Sequence, residues 1–465
     1  MSIEGYSLLH SRMMPVTWDP GTRRAYVWEA KVQIMLASIV ESAICLVAGW
    51  YGRDVIKILG GHYSKWRIVG RRETFERDRS AALDWVINYY GGESNESRLF
   101  RLPSGRPIAY LSRSAWQFPS LSLEKISFII ESELCTTPVS RRELNYRRRL
   151  GQRLWDGPVY YLGSGIMQDG NLLHINLRRG TYFQYATLSG RLQREVNKCI
   201  HSRRRRPTIR NKIADSLGHI QTGRPCSQLL GFGVAMVLAS PEGWKVLVQD
   251  RSHDAGVAGG TRAAIPAYVC EPTDDMNGGE LNPFRDFLRE FSEELYFSQH
   301  QEQLGQLRAD WFYELEPVKR LIQLRDNGKF AFEVTGFGFD ALTVELHFAA
   351  IAVVLDETFA ERELRRMNRN WEANGIRVVD IDSDAMTEII ESESTYPTSA
   401  FVFALARTWL KEKRRTDPRF QAANHDKGSG RRRQATSSRG RADHQPDFSP
   451  RHQAGAAGES HPGGS

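Results

Sequence analysis

GGELNPFRDFLREFSEELYF, residues 278–297, is the stretch whose reading decides the fold. Asn282 before Pro283 marks a helix start, because an Asn side chain caps free amides and Pro at the first helical position loses no hydrogen bond. Phe284, Phe287, Leu288, Phe291 and Leu295 then recur at helical spacing and give one apolar stripe to bury. Glu290, Glu293 and Glu294 stand at i, i+3 and i+4, so their carboxylates share a second face, turned roughly 120° from the stripe. Like charges at that spacing repel and weaken a helix, a cost that a bound cation offsets. Hard divalent ions such as Mg²⁺ bind carboxylate oxygens and commonly bridge a protein to a substrate phosphate. The competing reading is a plain acidic face in water.

The same residues carry a resemblance. Residues 289–297, REFSEELYF, resemble the core of the Nudix box, G-x5-E-x7-R-E-U-x-E-E-x-G-U, where U is a bulky apolar residue. Arg289, Glu290, Phe291, Glu293, Glu294 and Phe297 fall on its R, E, U, E, E and U places. Tyr296 stands where the box has its later glycine, Leu281 where it has its first glutamate, and Asp275 where it has its first glycine. Glu280 is one residue from the glutamate place and serves if the loop carries an extra residue.

The resemblance implies an α/β/α sandwich with a mixed sheet over residues 228–412. It implies hydrolysis of a pyrophosphate bond in a nucleoside diphosphate linked to another moiety, with Mg²⁺ or Mn²⁺ as cofactor. By position, Glu290, Glu293 and Glu294 would hold the metal, with Glu280 as an extra ligand. Glu293, Glu294 and Arg289 would be the catalytic residues, Arg289 pairing with a box glutamate and orienting it. One of the box acids, or a carboxylate outside it, would be the general base. The departures from the box alter the loop that faces metal and phosphate. The alternative is therefore a catalytically impaired Nudix-fold nucleotide sensor or regulatory scaffold. No base, sugar or second phosphoryl partner is legible, so a nucleotide-type small molecule is as far as the partner reading goes.

At 465 residues the chain is long for one domain, and 41% hydrophobic residues suffice for sizeable cores. Five scattered cysteines, odd in number and without C-x-x-C pairing, fit neither a disulfide framework nor a zinc site, and suit a reducing cytosol. The net charge of +8 is concentrated at the end: residues 413–465 hold eleven Lys and Arg against five Asp and Glu. That segment is rich in Gly, Ser, Arg and His with almost no large apolar residue, and it reads as a disordered basic tail. A basic tail attracts polyanions weakly and without sequence preference, so no specific nucleic acid is expected.

The first residues lack the pattern of a cleaved signal peptide. The apolar run at 32–50 is near the lower limit for a membrane span, but Gln33, Ser38, Glu41 and Ser42 interrupt it. A core helix and a membrane-contacting helix both fit, so the location is cytoplasmic with membrane association left open.

Residues 1–200 read as an α+β region of unknown role, with helical patterning at 81–90 and strand-like runs at 159–162, 172–177 and 181–186. Arg203, Arg204, Arg205 and Arg206 mark a basic linker over 201–227. Beyond it, 232–239 and 244–249 read as a hairpin and 263–270 as the strand leading to the box. The glycine-rich 256–260 lacks the spacing of a phosphate-binding loop. Further strands are expected at 310–315, 330–339, 343–355 and 376–381, and helices at 384–392 and 396–411.

Overall fold

The computed structural model describes residues 78–91, 99–149, 152, 154–170, 172–202, 206–223, 228–252, 259–272, 281–296, 310–367 and 373–421. The apolar run at 32–50, the loop acids Asp274, Asp275 and Glu280, and the tail from 422 onward lie outside the described residues. Among the described residues no helix is long and apolar enough to cross a membrane.

The fold is mixed α/β. In chain order its strands are β1 (Leu99–Arg101), β2 (Pro107–Leu111), β3 (Gln117–Leu121), β4 (Ile126–Leu134), β5 (Pro158–Asp169), β6 (Leu172–Thr181), β7 (Leu230–Ser240) and β8 (Gly243–Arg251). They continue as β9 (Arg262–Ala264), β10 (Ala267–Val269), β11 (Phe330–Asp340), β12 (Leu346–Val354) and β13 (Ala373–Asp380). The helices are α1 (78–90), α2 (Arg141–Arg149), α3 (Tyr182–His201), α4 (Thr208–Ile213) and α5 (Leu217–Ile220). After the sheet's first hairpin come α6 (Pro283–Leu295), α7 (Glu316–Asp326), α8 (Glu357–Glu363), α9 (Asp384–Glu391) and α10 (Pro397–Thr416).

The large sheet runs β1-β2-β11-β12-β7-β8-β13, with β3 on β11, β9 on β8 and β10 on β7. Its centre is the parallel pair β7 and β12, in register from Leu230 against Leu346 to Leu238 against Val354. Both strands are apolar nearly throughout, as expected where both faces are covered. Leu230, Phe232, Val234, Met236 and Leu238 of β7 enter one core with α6, α7 and α8. Ala235, Val237 and Ala239 enter the other with α9 and α10. Helices on both faces of one mixed sheet make the layered arrangement that the order of elements implied. A second sheet, β4-β6-β5, pairs β4 and β6 in parallel and β6 and β5 antiparallel.

Four expectations need correction. First, 181–186 opens α3 rather than forming a strand. The Thr181 amide donates to Gln184 Oε1 at 2.8 Å, one half of a Thr-x-x-Gln capping box that alternating aromatics disguised. Second, 310–315 is a short 3-10 turn at Trp311–Glu314, followed by the unforeseen α7. Pro317 in the first turn of α7, with Val318, Leu321 and Leu324 buried behind it, was the available signal.

Third, the expected linker 201–227, of which 203–205 and 224–227 lie outside the described residues, is helical over much of its described part. It holds α4 and α5, and Arg210, Ile213, Leu217 and Ile220 are buried. Strands β2 and β3 from the first region hydrogen-bond to β11 of the second. The described residues accordingly fall within one packed unit. Fourth, the fold does not stop at 412: α10 continues to Thr416, and Phe420 is buried against Trp244 and Trp409.

The junction of β2 and β11 tolerates no added side chain at Gly338. A methyl group there would overlap the Leu111 carbonyl oxygen and sit 2.7 Å from the Tyr110 ring. Gly338→Ala is expected to cost about 2 kcal/mol by overpacking, read as a lower urea midpoint with an unchanged slope.

Candidate functional site

Helix α6 begins as its sequence requires. Asn282 Oδ1 accepts from the Arg285 amide at 3.0 Å, and Pro283 occupies the first turn. Phe287, Leu288, Phe291 and Leu295 are buried in the core below β7 and β12. Phe284 is half-buried and packs on Phe287, Phe330 and Phe332. The Tyr268 hydroxyl of β10 donates to the Pro283 carbonyl at 2.7 Å, fixing the start of the helix to the sheet.

The acidic face of α6 is turned inward rather than into water. Arg289 stands at its centre with only 15% of its side chain exposed. Its guanidinium is 3.2 Å from Glu290 and 3.2 Å from Glu293, and 3.7 Å from Glu271 just beyond β10. Glu294 is buried and accepts from the Ala267 amide at 3.2 Å. The structure thus brings Arg289, Glu290 and Glu293 together, adds Glu271, and ties Glu294 to the strand beneath. Glu280, the remaining expected ligand, lies outside the described residues.

Asp286 also belongs to this face, at i−4 from Glu290, and the reading of the sequence missed it because the box has no place for it. It is 1% exposed, with Arg285 at 3.7 Å and one carboxylate oxygen without a hydrogen bond. Burial pushes its carboxyl up to about 7; Arg289 opposes this and Glu271 adds to it. Burial likewise holds Glu290 well above the usual carboxylate range, against Arg289 and with Glu293, Glu294 and Glu271. For Arg289, burial disfavours the charge, but Glu290, Glu293, Glu271 and Asp286 more than offset it.

Asp286 makes a stability prediction. A carboxyl with a raised folded pKa contributes stability that is fully present below its unfolded pKa and lost as pH rises through the folded one. Here the window runs from 3.8 to about 7, and the shift corresponds to on the order of 4 kcal/mol. Asp286→Asn removes this titration. The variant should be more stable than wild type at about pH 8 and lose that advantage near pH 4. Urea midpoints across this range check it, and identical pH profiles for both proteins would refute it.

Carboxylates alone are the right donor type for Mg²⁺ or Mn²⁺, but the described residues do not fit such an ion as arranged. Glu271, Glu290 and Glu293 surround a guanidinium and Glu294 faces an amide. Among the described residues no three His, Cys, Asp or Glu side chains are grouped so as to hold a metal ion.

A second buried polar cluster carried no sequence signal beyond acids inside apolar strands. Glu345 accepts from the Tyr185 hydroxyl at 2.6 Å and is 3.0 Å from His347. Asp340 accepts from the Tyr396 hydroxyl at 2.8 Å. These contacts join α3, the β11–β12 connection and the start of α10.

No protein-family model and no curated protein matches the chain. Among solved structures, the chain is similar to a C. elegans Ap4A hydrolase in a binary complex, at 11% identity. The likeness covers 40% of this chain and 98% of that one with a TM-score of 0.22, a level that carries no weight for fold or function.

Proposed function

We propose that the chain is a Nudix-type hydrolase that cleaves a pyrophosphate bond in a nucleoside diphosphate linked to another moiety. One observation carries this reading. The acids of α6 are drawn around a nearly buried Arg289 instead of standing in water, which argues against a merely solvated helix face.

In this reading Arg289 uses its planar fork to fix Glu290 and Glu293, a role that Lys fills poorly. Glu294, anchored on the Ala267 amide, holds the inner side of the cluster. Even with the buried Asp286 and Glu290 protonated, Glu271, Glu293 and Glu294 outnumber Arg285 and Arg289, so a phosphorylated ligand is repelled unless a further cation joins. Mg²⁺ or Mn²⁺ therefore belongs in the assay.

A second reading, a nucleotide sensor without turnover, is favoured by Tyr296 in the glycine place and by the pairing of Glu290 and Glu293 with Arg289. A turnover screen separates the two. The purified chain is incubated with nucleotide sugars, dinucleoside polyphosphates, NAD-type dinucleotides and nucleoside triphosphates, with Mg²⁺ or Mn²⁺ and with chelator. Product formation supports the hydrolase. Thermal stabilisation by a ligand that is recovered intact supports the sensor. Neither response from any compound sinks both.

A further inference from the structure

Two cavities beside α3 are lined by cations of which, among the described residues, only Arg194 has a carboxylate partner. The first, about 520 Å³, is bordered by Arg191, Arg194, Lys198 and Arg206. Glu195, the acid among its described lining residues, is already engaged by the Ile209 amide at 2.6 Å, the Arg210 amide at 2.9 Å and the Thr208 hydroxyl at 3.2 Å. The second, about 560 Å³, is bordered by Arg142, Arg149 and Arg194 together with Asn145 and Tyr146, and among the described residues by no acid. Arg194 lines both, so the cavities adjoin.

Arg194 is the built part of this surface. Its guanidinium lies 5.2 Å over the Tyr146 ring and pairs with the buried carboxylate of Glu143, while its Nε has no hydrogen-bond partner. Gly190 lets α2 and α3 approach closely enough for this, because a side chain there would meet Glu143. Burial, then the neighbouring charge of Arg142, lowers the Arg194 pKa from the usual guanidinium range. Arg142, Arg149, Arg191, Lys198 and Arg206 make no ion pair with any described residue. Six cations around two openings repel one another, and an anion that spans the openings relieves the repulsion. Each volume suits a small-molecule site, and guanidinium forks match phosphate oxygens in pairs.

We propose that these adjoining cavities bind a ligand carrying at least two phosphate groups, one in each opening, with Arg194 between them. The proposal does not rest on hydrolase activity at α6. The phosphate chain has two possible sources, a free polyphosphate or a nucleic-acid strand, and the test separates them.

The full-length chain is titrated calorimetrically with sodium triphosphate, without divalent ions. In parallel it is titrated by fluorescence anisotropy with a short labelled single-stranded RNA at low and raised salt. Two charge-reversed variants probe the cavities: Arg191→Glu with Lys198→Glu, and Arg142→Glu with Arg149→Glu. All four residues are exposed, so both variants should fold, as a thermal melt will verify; should one fail, the other decides. Lys411→Glu with Arg415→Glu, elsewhere on the surface, controls for net charge. Each cavity variant is expected to weaken triphosphate binding about tenfold or more, and the control less than about twofold. Loss confined to triphosphate identifies a free polyphosphate; a matching loss for RNA identifies a strand. Absence of binding to both probes, or equal weakening by the control, overturns the proposal.

Discussion

Glu293→Gln is expected to lower turnover on the order of 100-fold or more on any substrate the wild type hydrolyses, while leaving the thermal midpoint almost unchanged. The side chain is 31% exposed and pairs with Arg289 at 3.2 Å, so the amide keeps the shape and removes the charge. Glu290→Gln should lose turnover to a similar extent. Its effect on stability should be favourable at neutral pH, because burial already disfavours its ionised form. Glu294→Gln tests the inner anchor, since Gln can still accept from the Ala267 amide but brings no charge. Arg289→Lys keeps the charge and loses the fork that reaches two carboxylates at once, so turnover should fall with folding retained. Turnover of Glu293→Gln within about twofold of wild type would remove the acidic face of α6 from the chemistry.

The second large effect concerns Arg210. Its side chain is fully buried and donates to the Tyr90 hydroxyl at 3.0 Å, the Ala341 carbonyl at 2.6 Å and the Leu342 carbonyl at 2.7 Å. Tyr90 in turn donates to the Ala214 carbonyl at 2.6 Å. One guanidinium thus joins α1, α4 and the connection between β11 and β12. Arg210→Met fills similar volume but leaves two interior carbonyls without donors, each worth about 1–3 kcal/mol. A destabilisation of about 3–5 kcal/mol is expected, read from the urea midpoint. A loss below about 1 kcal/mol would show that the guanidinium's hydrogen bonds do not hold this junction together.

What could be read from the sequence was local. Asn282 and Pro283 announced the start of α6, unbroken apolar runs announced β7 and β12, and the hairpin between β7 and β8 stood where its turn residues lay. Arg289, Glu290, Phe291, Glu293 and Glu294 lie on α6 as their helical spacing required, and Arg289 stands beside Glu290 and Glu293. Apart from the start of α3 and the whole of α7, which had local signals, what escaped was non-local. Strands β2 and β3 are short and mixed in pattern, and their partner β11 lies more than two hundred residues downstream. Nothing near them in sequence encodes that pairing. Arg210 was hidden by its basic surroundings, because a run of arginines reads as solvated surface until a tertiary contact buries one member. Glu271 escaped for the opposite reason: loop acids are usually solvated, and only the fold brings this one to Arg289.

The seam between β11 and the earlier strands bears on how this protein can be divided. A fragment cut near residue 228 would keep the box helix and both helical layers, yet strip β2 and β3 from β11. The amides and carbonyls bared along that margin would be free to recruit other chains, so such a truncation invites sticking and precipitation. Laboratory dissection should begin upstream of α1, leaving the flank of the sheet clothed.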